Sequence, residues 1–218
     1  MLDLLTERER NRVLRTGVRR RFRPREVVFH EGDPGDSLHI VTDGAFIARG
    51  SSTLGEVIAV NVFGVGDVFG EMVLLTPGTR RSATVASHGR GATLMVMRGD
   101  FEALMEDGGN LDRVLLSLLA ERNRVLTAHL VELLFAPVMQ RVCMRLLEFS
   151  QKVASGADEG WVALSQEDLA TLAGTTRSTV NRVLRRAREL GLVELAHGRI
   201  RITDEQALGQ SARRALRR

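Results

Sequence analysis

The stretch 111–136 contains neither proline nor glycine. Leu119, Leu126 and Leu133 stand seven residues apart in it, with Leu115 and Leu130 filling the same side. That pattern predicts one helix of about 25 residues, about 37 Å long, over residues 111–135. A small domain cannot cover so long a helix. A leucine seam of this length is expected to pair with a second copy of itself, in preference to packing wholly on its own domain. The helix therefore divides the chain into an N-terminal and a C-terminal part.

The N-terminal part is built of short apolar runs punctuated by glycine. Thr6 is placed to cap a helix over residues 6–15. From Glu26 to Met97 the apolar runs are Val27-Val28-Phe29, Leu38-His39-Ile40-Val41, Phe46-Ile47, Val57-Ile58-Ala59-Val60 and Thr93-Leu94-Met95-Val96-Met97. Gly32-Asp33-Pro34-Gly35-Asp36, Asp43-Gly44 and Gly64-Val65-Gly66-Asp67 separate them. Turn signals at this spacing predict an antiparallel barrel or jelly roll. The basic run Arg19-Arg20-Arg21-Phe22-Arg23-Pro24-Arg25 reads as a solvated edge leading into a strand rather than a nucleic-acid arm. One segment breaks the β pattern: Gly70-Glu71-Met72-Val73-Leu74-Leu75 reads as a single helical turn beginning at Gly70.

The C-terminal part is helical and basic. Pro137 suits the first turn of a new helix over 138–149, so Ala136-Pro137 is the expected domain boundary and hinge. This divides the chain into 1–136 and 137–218. Residues 151–160, with Ser155-Gly156, read as a polar linker ending at Trp161-Val-Ala-Leu164. From Val138 onward there are fourteen Arg and Lys against nine Asp and Glu; the rest of the chain has seventeen against eighteen. A small basic domain points to a polyanion such as nucleic acid.

The last third also carries the most specific motif. Ser165-Gln166-Glu167-Asp168 opens one helix in the manner of a capping box. Leu169, Ala170, Ala173, Val180 and Val183 are small or apolar where two helices must cross. Gly174 takes the turn between them, Thr176 caps the second helix and Gly191 ends it. Leu192-Val193-Glu194-Leu195 and Arg199-Ile-Arg-Ile202 then form a hairpin, or wing, about His197-Gly198. On the second helix Arg177, Ser178, Asn181 and Arg182 face outward at its N-terminal end. Arginine can pair with guanine and asparagine with adenine in the major groove of double-stranded DNA. Arg185, Arg186 and Arg188 fit phosphate contacts, and the basic tail at 213–218 could add more.

In the β region, Gly70-Glu71-Met72 with Arg80-Arg81-Ser82-Ala83 gathers a carboxylate, a guanidinium and a hydroxyl. That set suits a sugar hydroxyl and a phosphate, although a surface Glu–Arg pair would have the same composition. The whole chain resembles the cyclic-AMP receptor protein (Crp–Fnr) family of bacterial transcription regulators. The resemblance rests on the glycine-punctuated roll, the cassette Gly70-Glu71 … Arg81-Ser82-Ala83, the long helix, the proline-marked hinge and the winged helix-turn-helix.

It implies an α+β architecture: an N-terminal cyclic-nucleotide-binding β-roll of jelly-roll type, a long dimerisation helix and a C-terminal winged helix-turn-helix. In family members that bind cyclic AMP, the residue matching Glu71 accepts the ribose 2′-hydroxyl. The residue matching Arg81 neutralises the cyclic phosphate, and those matching Gly70, Ser82 and Ala83 complete the cradle. Met72 lies within the same cassette. Two adjacent hydroxyl residues on the long helix reach the adenine amino group in the cyclic-AMP receptor; here Leu126 and Thr127 stand at those places, and Thr127 supplies the hydroxyl that remains. Ser178 stands where the best-known site readers carry glutamate, so the usual half-site sequence does not transfer. The expectation is a homodimer switched by a cyclic nucleotide, cyclic AMP, on a two-fold operator through Thr176, Arg177, Ser178, Asn181, Arg182 and Arg186. RNA polymerase is the expected further partner. The alternative is a regulator of the same fold that senses another small effector or binds DNA without cyclic AMP.

Composition narrows the remaining classes. Cys143 is the only cysteine, which excludes an internal disulfide, a four-thiolate cluster and the oxygen-sensing branch of the family. His30, His39, His88, His129 and His197 form no metal-ligand spacing, which argues against a metal site and against an enzyme on a jelly-roll barrel. No apolar run approaches a membrane span, and the charged N-terminus lacks a signal-peptide core, so the chain is expected in the cytoplasm.

Overall fold

The computed structural model describes residues 1–51, 57–76, 78–107, 109–153 and 161–214, with the last four by backbone alone. After a 3-10 turn at Leu2–Leu4, the elements run α1 (Glu7–Thr16), β1 (Val18–Phe22), β2 (Val27–Phe29), β3 (Ser37–Asp43), β4 (Phe46–Ser51), β5 (Val57–Phe63) and β6 (Val68–Phe69). Next come α2 (Met72–Leu75), β7 (Thr84–Ser87), β8 (Gly91–Met97), α3 (Arg98–Glu106), α4 (Leu111–Phe135) and α5 (Val138–Val153). The last third holds β9 (Trp161–Val162), α6 (Gln166–Leu172), α7 (Arg177–Glu189), β10 (Val193–Ala196), β11 (Arg199–Ile202) and α8 (Glu205–Arg214). Ser155-Gly156 of the expected linker and the side chains of the tail at 213–218 lie outside the described residues.

The roll consists of two four-stranded sheets, in the orders β1-β8-β3-β6 and β2-β7-β4-β5. Strand β3 shows how the two faces of the first sheet are used. Alternate residues point to opposite faces: Leu38 and Ile40 pack with Val13, Leu94, Val96, Phe101, Leu104 and Leu111, under the helices. Val41 points the other way and joins Phe22, Phe46, Phe63, Phe69 and Val85 between the sheets. His39 shares that interior. Its ring stacks on Phe69 at 5.1 Å and Nδ1 lies 3.0 Å from Thr93 Oγ1. Burial, then the nearby Arg81 and Arg20 cations, push its pKa down to about 3, so the ring is a neutral packing group.

Helix α1 begins as Thr6 predicts, with a full capping box. The box does a second job. Glu9 is buried, and its Oε1 accepts from the backbone N–H groups of Asn110 (2.6 Å) and Leu111 (2.9 Å), at the start of α4. One carboxylate thus caps two helices.

Several elements differ from the sequence expectation. The basic run does not merely precede a strand: Arg19, Arg20 and Arg21 lie within β1, which pairs antiparallel with β8. Helix α3 and α8 and strands β6 and β7 were not expected from periodicity. Leu115 belongs to the roll core with Val114, not to the outward seam. The outward face of α4 is carried by Leu119, Leu126 (59% exposed), Leu130 (56%), Leu133 and Leu134 (65%). Helix α5 begins after Pro137 as expected and runs four residues beyond Phe149.

Contacts divide the chain into two compact units, Met1–Gly50 with Val62–Leu126, and Ser51–Asn61 with Thr127–Arg218. The division therefore falls inside α4, while the break in helical backbone lies at Ala136-Pro137. The second unit has its own core, built from Val142, Leu146 and Phe149 of α5, Leu169 and Ala170 of α6, and Val180, Val183, Leu184 and Ala187 of α7. Arg141 of α5 ties its turns together. Its guanidinium donates to the carbonyls of Ala136 (2.9 Å), Ala173 (2.9 Å) and Gly174 (3.1 Å), the orphan acceptors at two helix ends.

Candidate functional site

The cassette in the roll is organised by a turn at Gly70, not by a helix beginning there. Gly70 has φ +80, and α2 starts at Met72 with Glu71 at its N-cap. The left-handed turn sends the Gly70 carbonyl to Arg81, whose Nη1 donates to it at 2.8 Å. The same Nη1 donates to Ser37 O (2.8 Å), and Nη2 donates to Ser37 Oγ (3.2 Å). The guanidinium also lies over the Phe29 ring, 4.0 Å from its centre. A Cβ on Gly70 would stand 2.5 Å from Nη1, and one on Gly35 would stand 2.6 Å from Nε. Two glycines thus make the space that this arginine fills.

Arg81 is a buried cation (5% exposed) whose hydrogen-bond partners are all neutral oxygens. Among the described residues no carboxylate lies within ion-pair distance of it, and its buried Nε has no partner. Burial lowers its pKa, against the pull of Asp36, Asp33 and Glu71. A buried cation without a counter-ion, beside a hydroxyl and a carboxylate, has the chemistry to take a singly charged phosphate ester. The residues present therefore fit a cyclic nucleotide.

Glu71 is also buried, but it is not alone. Its Oε1 pairs with Nη1 of Arg122, and Nη2 of Arg122 donates to the carbonyl of Val68. Arg122 lies on α4 and was not singled out from the sequence, where it is one arginine among several on a polar helix face. Met72 and Ser82 come together across the cassette, with Ser82 Oγ 3.7 Å from the Met72 sulfur. Ser82 is exposed and Ala83 half-buried. Thr127 is an exposed residue of α4 and falls in the second compact unit.

In that second unit the helix-turn-helix forms as the motif predicts. Ser165 Oγ accepts from Asp168 N at 3.0 Å and donates to the Asp168 carboxylate at 2.8 Å, so the reciprocal bond of a capping box goes to the hydroxyl. Gly174 has φ +59, and a Cβ there would collide with the Leu133 side chain. Thr176 caps α7 by accepting from Thr179 N (3.3 Å) and holds the Ser178 hydroxyl at 2.9 Å. Arg177, Ser178, Asn181, Arg182, Arg185 and Arg186 line one continuous outward groove on α7. Arg186 is tied to Glu189 at 3.0 Å, a solvent-exposed pair worth little. The wing is β10 paired with β11, with β9 added at its edge. Trp161 lies beneath two cations, Arg199 at 4.8 Å and Arg201 at 5.2 Å from the ring centre.

Residues 19–107 match the cyclic nucleotide-binding domain and residues 140–211 the Crp-like helix-turn-helix domain. The "CRP-like cAMP-activated global transcriptional regulator" of Mycobacterium tuberculosis is 32% identical over 192 residues, covering 85% of this chain and 84% of that one.

The chain belongs to the Crp family of DNA-binding transcription regulators with a cyclic nucleotide-binding domain.

The "Cyclic AMP receptor protein" of Thermus thermophilus is 30% identical over 194 residues, with 89% and 88% of the two chains covered. The solved structure of CLP, described as a c-di-GMP responsive global regulator of Xanthomonas campestris, shares the fold. Its TM-score is 0.73 at 21% identity, over 91% of this chain and all of that one. Proteins of this fold thus include one described as responsive to another nucleotide, so the fold alone does not name the ligand. Among the described residues there is no cluster of His, Cys, Asp and Glu able to hold a metal, and no helix long and apolar enough to cross a membrane.

Proposed function

We propose that this Crp-family regulator is a homodimer switched by cyclic AMP. The observation that carries the reading is the buried charge of Arg81, which has only neutral partners. A 3′,5′-cyclic nucleotide brings one negative charge to that guanidinium and keeps its 2′-hydroxyl for Glu71. Gly70, Ser82 and Ala83 complete the cradle, Met72 borders it and Thr127 is offered to the base. The seam on α4 takes the same seam of a second copy. Nucleotide binding favours the DNA-competent form of the dimer, in which two α7 helices stand about 34 Å apart on a two-fold operator. Moving such an equilibrium from 1:99 to 99:1 requires the ligand to prefer one form by about 5.5 kcal/mol. Thr176, Arg177, Ser178, Asn181, Arg182 and Arg186 face the DNA, and RNA polymerase is the further partner.

A second reading keeps the DNA-binding function and changes the effector. Leu126 favours it, because a leucine in place of a hydroxyl offers nothing to an adenine amino group. Calorimetric titration with cyclic AMP, with cyclic GMP as control, separates the two. The proposal expects one cyclic-AMP site per subunit, lost in Arg81→Ala. Absence of binding by either nucleotide overturns it in favour of another effector.

A further inference from the structure

We infer that Gln166 is a specificity-determining positioning residue: it orients the Asn181 amide so that α7 presents an adenine-complementary edge to DNA. The inference rests on the DNA-reading role of α7 and deepens it.

Asn181 is the fifth residue of α7, and Gln166 is the first residue of α6. Asn181 Nδ2 donates to Gln166 Oε1 at 3.1 Å, and both side chains are half-buried. Asn181 lines the outward groove of α7. It also lines the cleft between α7 and the wing, with Gln166, Arg177 and His197. A residue so placed meets whatever the recognition helix meets.

An asparagine amide is two-faced. Turned one way it offers a donor where the other way it offers an acceptor. Reading adenine bidentately needs Oδ1 on the N6 amino group and an Nδ2 proton on N7. With Gln166 Oε1 facing it, the Asn181 amide turns Nδ2 inward, because Oδ1 turned toward that oxygen would set two acceptors against each other. The bond uses one Nδ2 proton. The other proton and Oδ1 make up the edge that adenine needs. Fixing the amide before DNA arrives also removes the cost of ordering it on binding. Gln166 sits at the start of a helix secured by the Ser165 cap, so its own backbone is fixed.

The test is selection of duplexes from a randomised pool by the full chain with cyclic AMP present. Wild type, Asn181→Ala, Gln166→Ala and Gln166→Glu are compared, with thermal unfolding as a check on folding. Asn181→Ala should erase the base preference at one position of each half-site. Gln166→Ala should relax that same position on the order of tenfold and leave the other positions as they were. Gln166→Glu keeps the acceptor and cannot donate, so it should retain the preference. Its added negative charge should weaken binding to all sequences alike. Full preference in Gln166→Ala, or loss of it in Gln166→Glu, overturns the inference. So does equal relaxation at every position, which would mark a structural role. A wild-type preference left unchanged by Asn181→Ala overturns the DNA-reading role of Asn181, and the inference with it.

Discussion

The Glu71 carboxylate is held by Arg122 from the long helix, and the same guanidinium reaches the carbonyl of Val68 just ahead of the Gly70 turn. The carboxylate proposed to take a ribose hydroxyl is therefore pre-oriented by α4. Arg81 is fixed differently, by carbonyls and a hydroxyl of the roll itself. The two charges of the cassette thus report to different elements: Arg81 to the roll, Glu71 to the helix that carries the apolar seam. A ligand bridging both would couple the two, which is the requirement for a switch with differential affinity.

Removing the tie should weaken both folding and nucleotide binding. Arg122→Ala leaves a buried carboxylate without its cation. It should cost about 1–3 kcal/mol in denaturant unfolding and weaken cyclic-AMP affinity on the order of tenfold. Arg122→Lys, with a single charged nitrogen in place of the planar fork, should lie between. Wild-type affinity in a folded Arg122→Ala chain would show that the turn alone sets Glu71.

Gly70 carries two constraints at once. Its φ is +80, and a Cβ would stand 2.5 Å from Arg81 Nη1. Gly70→Ala should cost about 1–2 kcal/mol for the backbone alone. It should also displace Arg81, so nucleotide affinity should fall by more than stability does. Differential scanning calorimetry with and without cyclic AMP reads both. A variant with reduced stability and an undiminished ligand-induced rise in Tm would place the phosphate elsewhere.

Glu9 gives the roll an acid-sensitive joint. Burial pulls its pKa up, but hydrogen bonds from Thr6, Asn110 and Leu111 outweigh that and hold the carboxyl below its ordinary 4.5. The folded pKa is the lower one, so the contribution is present above about 4.5 and is lost as pH falls through the folded value. Glu9→Ala should destabilise by about 2 kcal/mol near neutrality, with the difference shrinking as pH falls below the ordinary carboxyl value. Urea unfolding at a series of pH values measures it. A gap independent of pH would mean that the lost packing, not the charge, matters.

The long helix, the winged motif and most strands were legible because their signals are local. Pattern, cap and turn glycine agree at Ser165, Gly174, Thr176 and Gly191. Strand β6 has two residues and β7 four, too short to show a period. Arg19-Arg20-Arg21 hid β1 because charge dominates composition while backbone pairing with β8 decides structure. Arg122, Arg141 and Gln166 escaped for a common reason. Each acts through a partner distant in sequence, and nothing in its own neighbourhood distinguishes it from a solvated side chain. Leu115 shows the converse: it fits the heptad but is taken by the roll, since α4 leaves the core only beyond its first turns.

The outward face of α4 gives the last prediction. Leu126, Leu130 and Leu134 are each more than half exposed on one helix, next to Leu133 and Phe135. Burying one leucine fully is worth about 1.5–3 kcal/mol, and a two-fold seam buries each residue twice. The wild-type chain should sediment at twice its 24.1 kDa. Leu130→Glu would set a carboxylate in the seam of each copy and should shift the protein to monomer, at least a hundredfold weaker in association. The side chain is exposed in the single chain, so the variant should keep its Tm as a monomer. Cyclic-AMP binding should survive through Arg81 and Glu71, while binding to a two-fold operator should fall with the dimer. Sedimentation of the wild type at 24.1 kDa at every concentration would instead assign this face to a different partner.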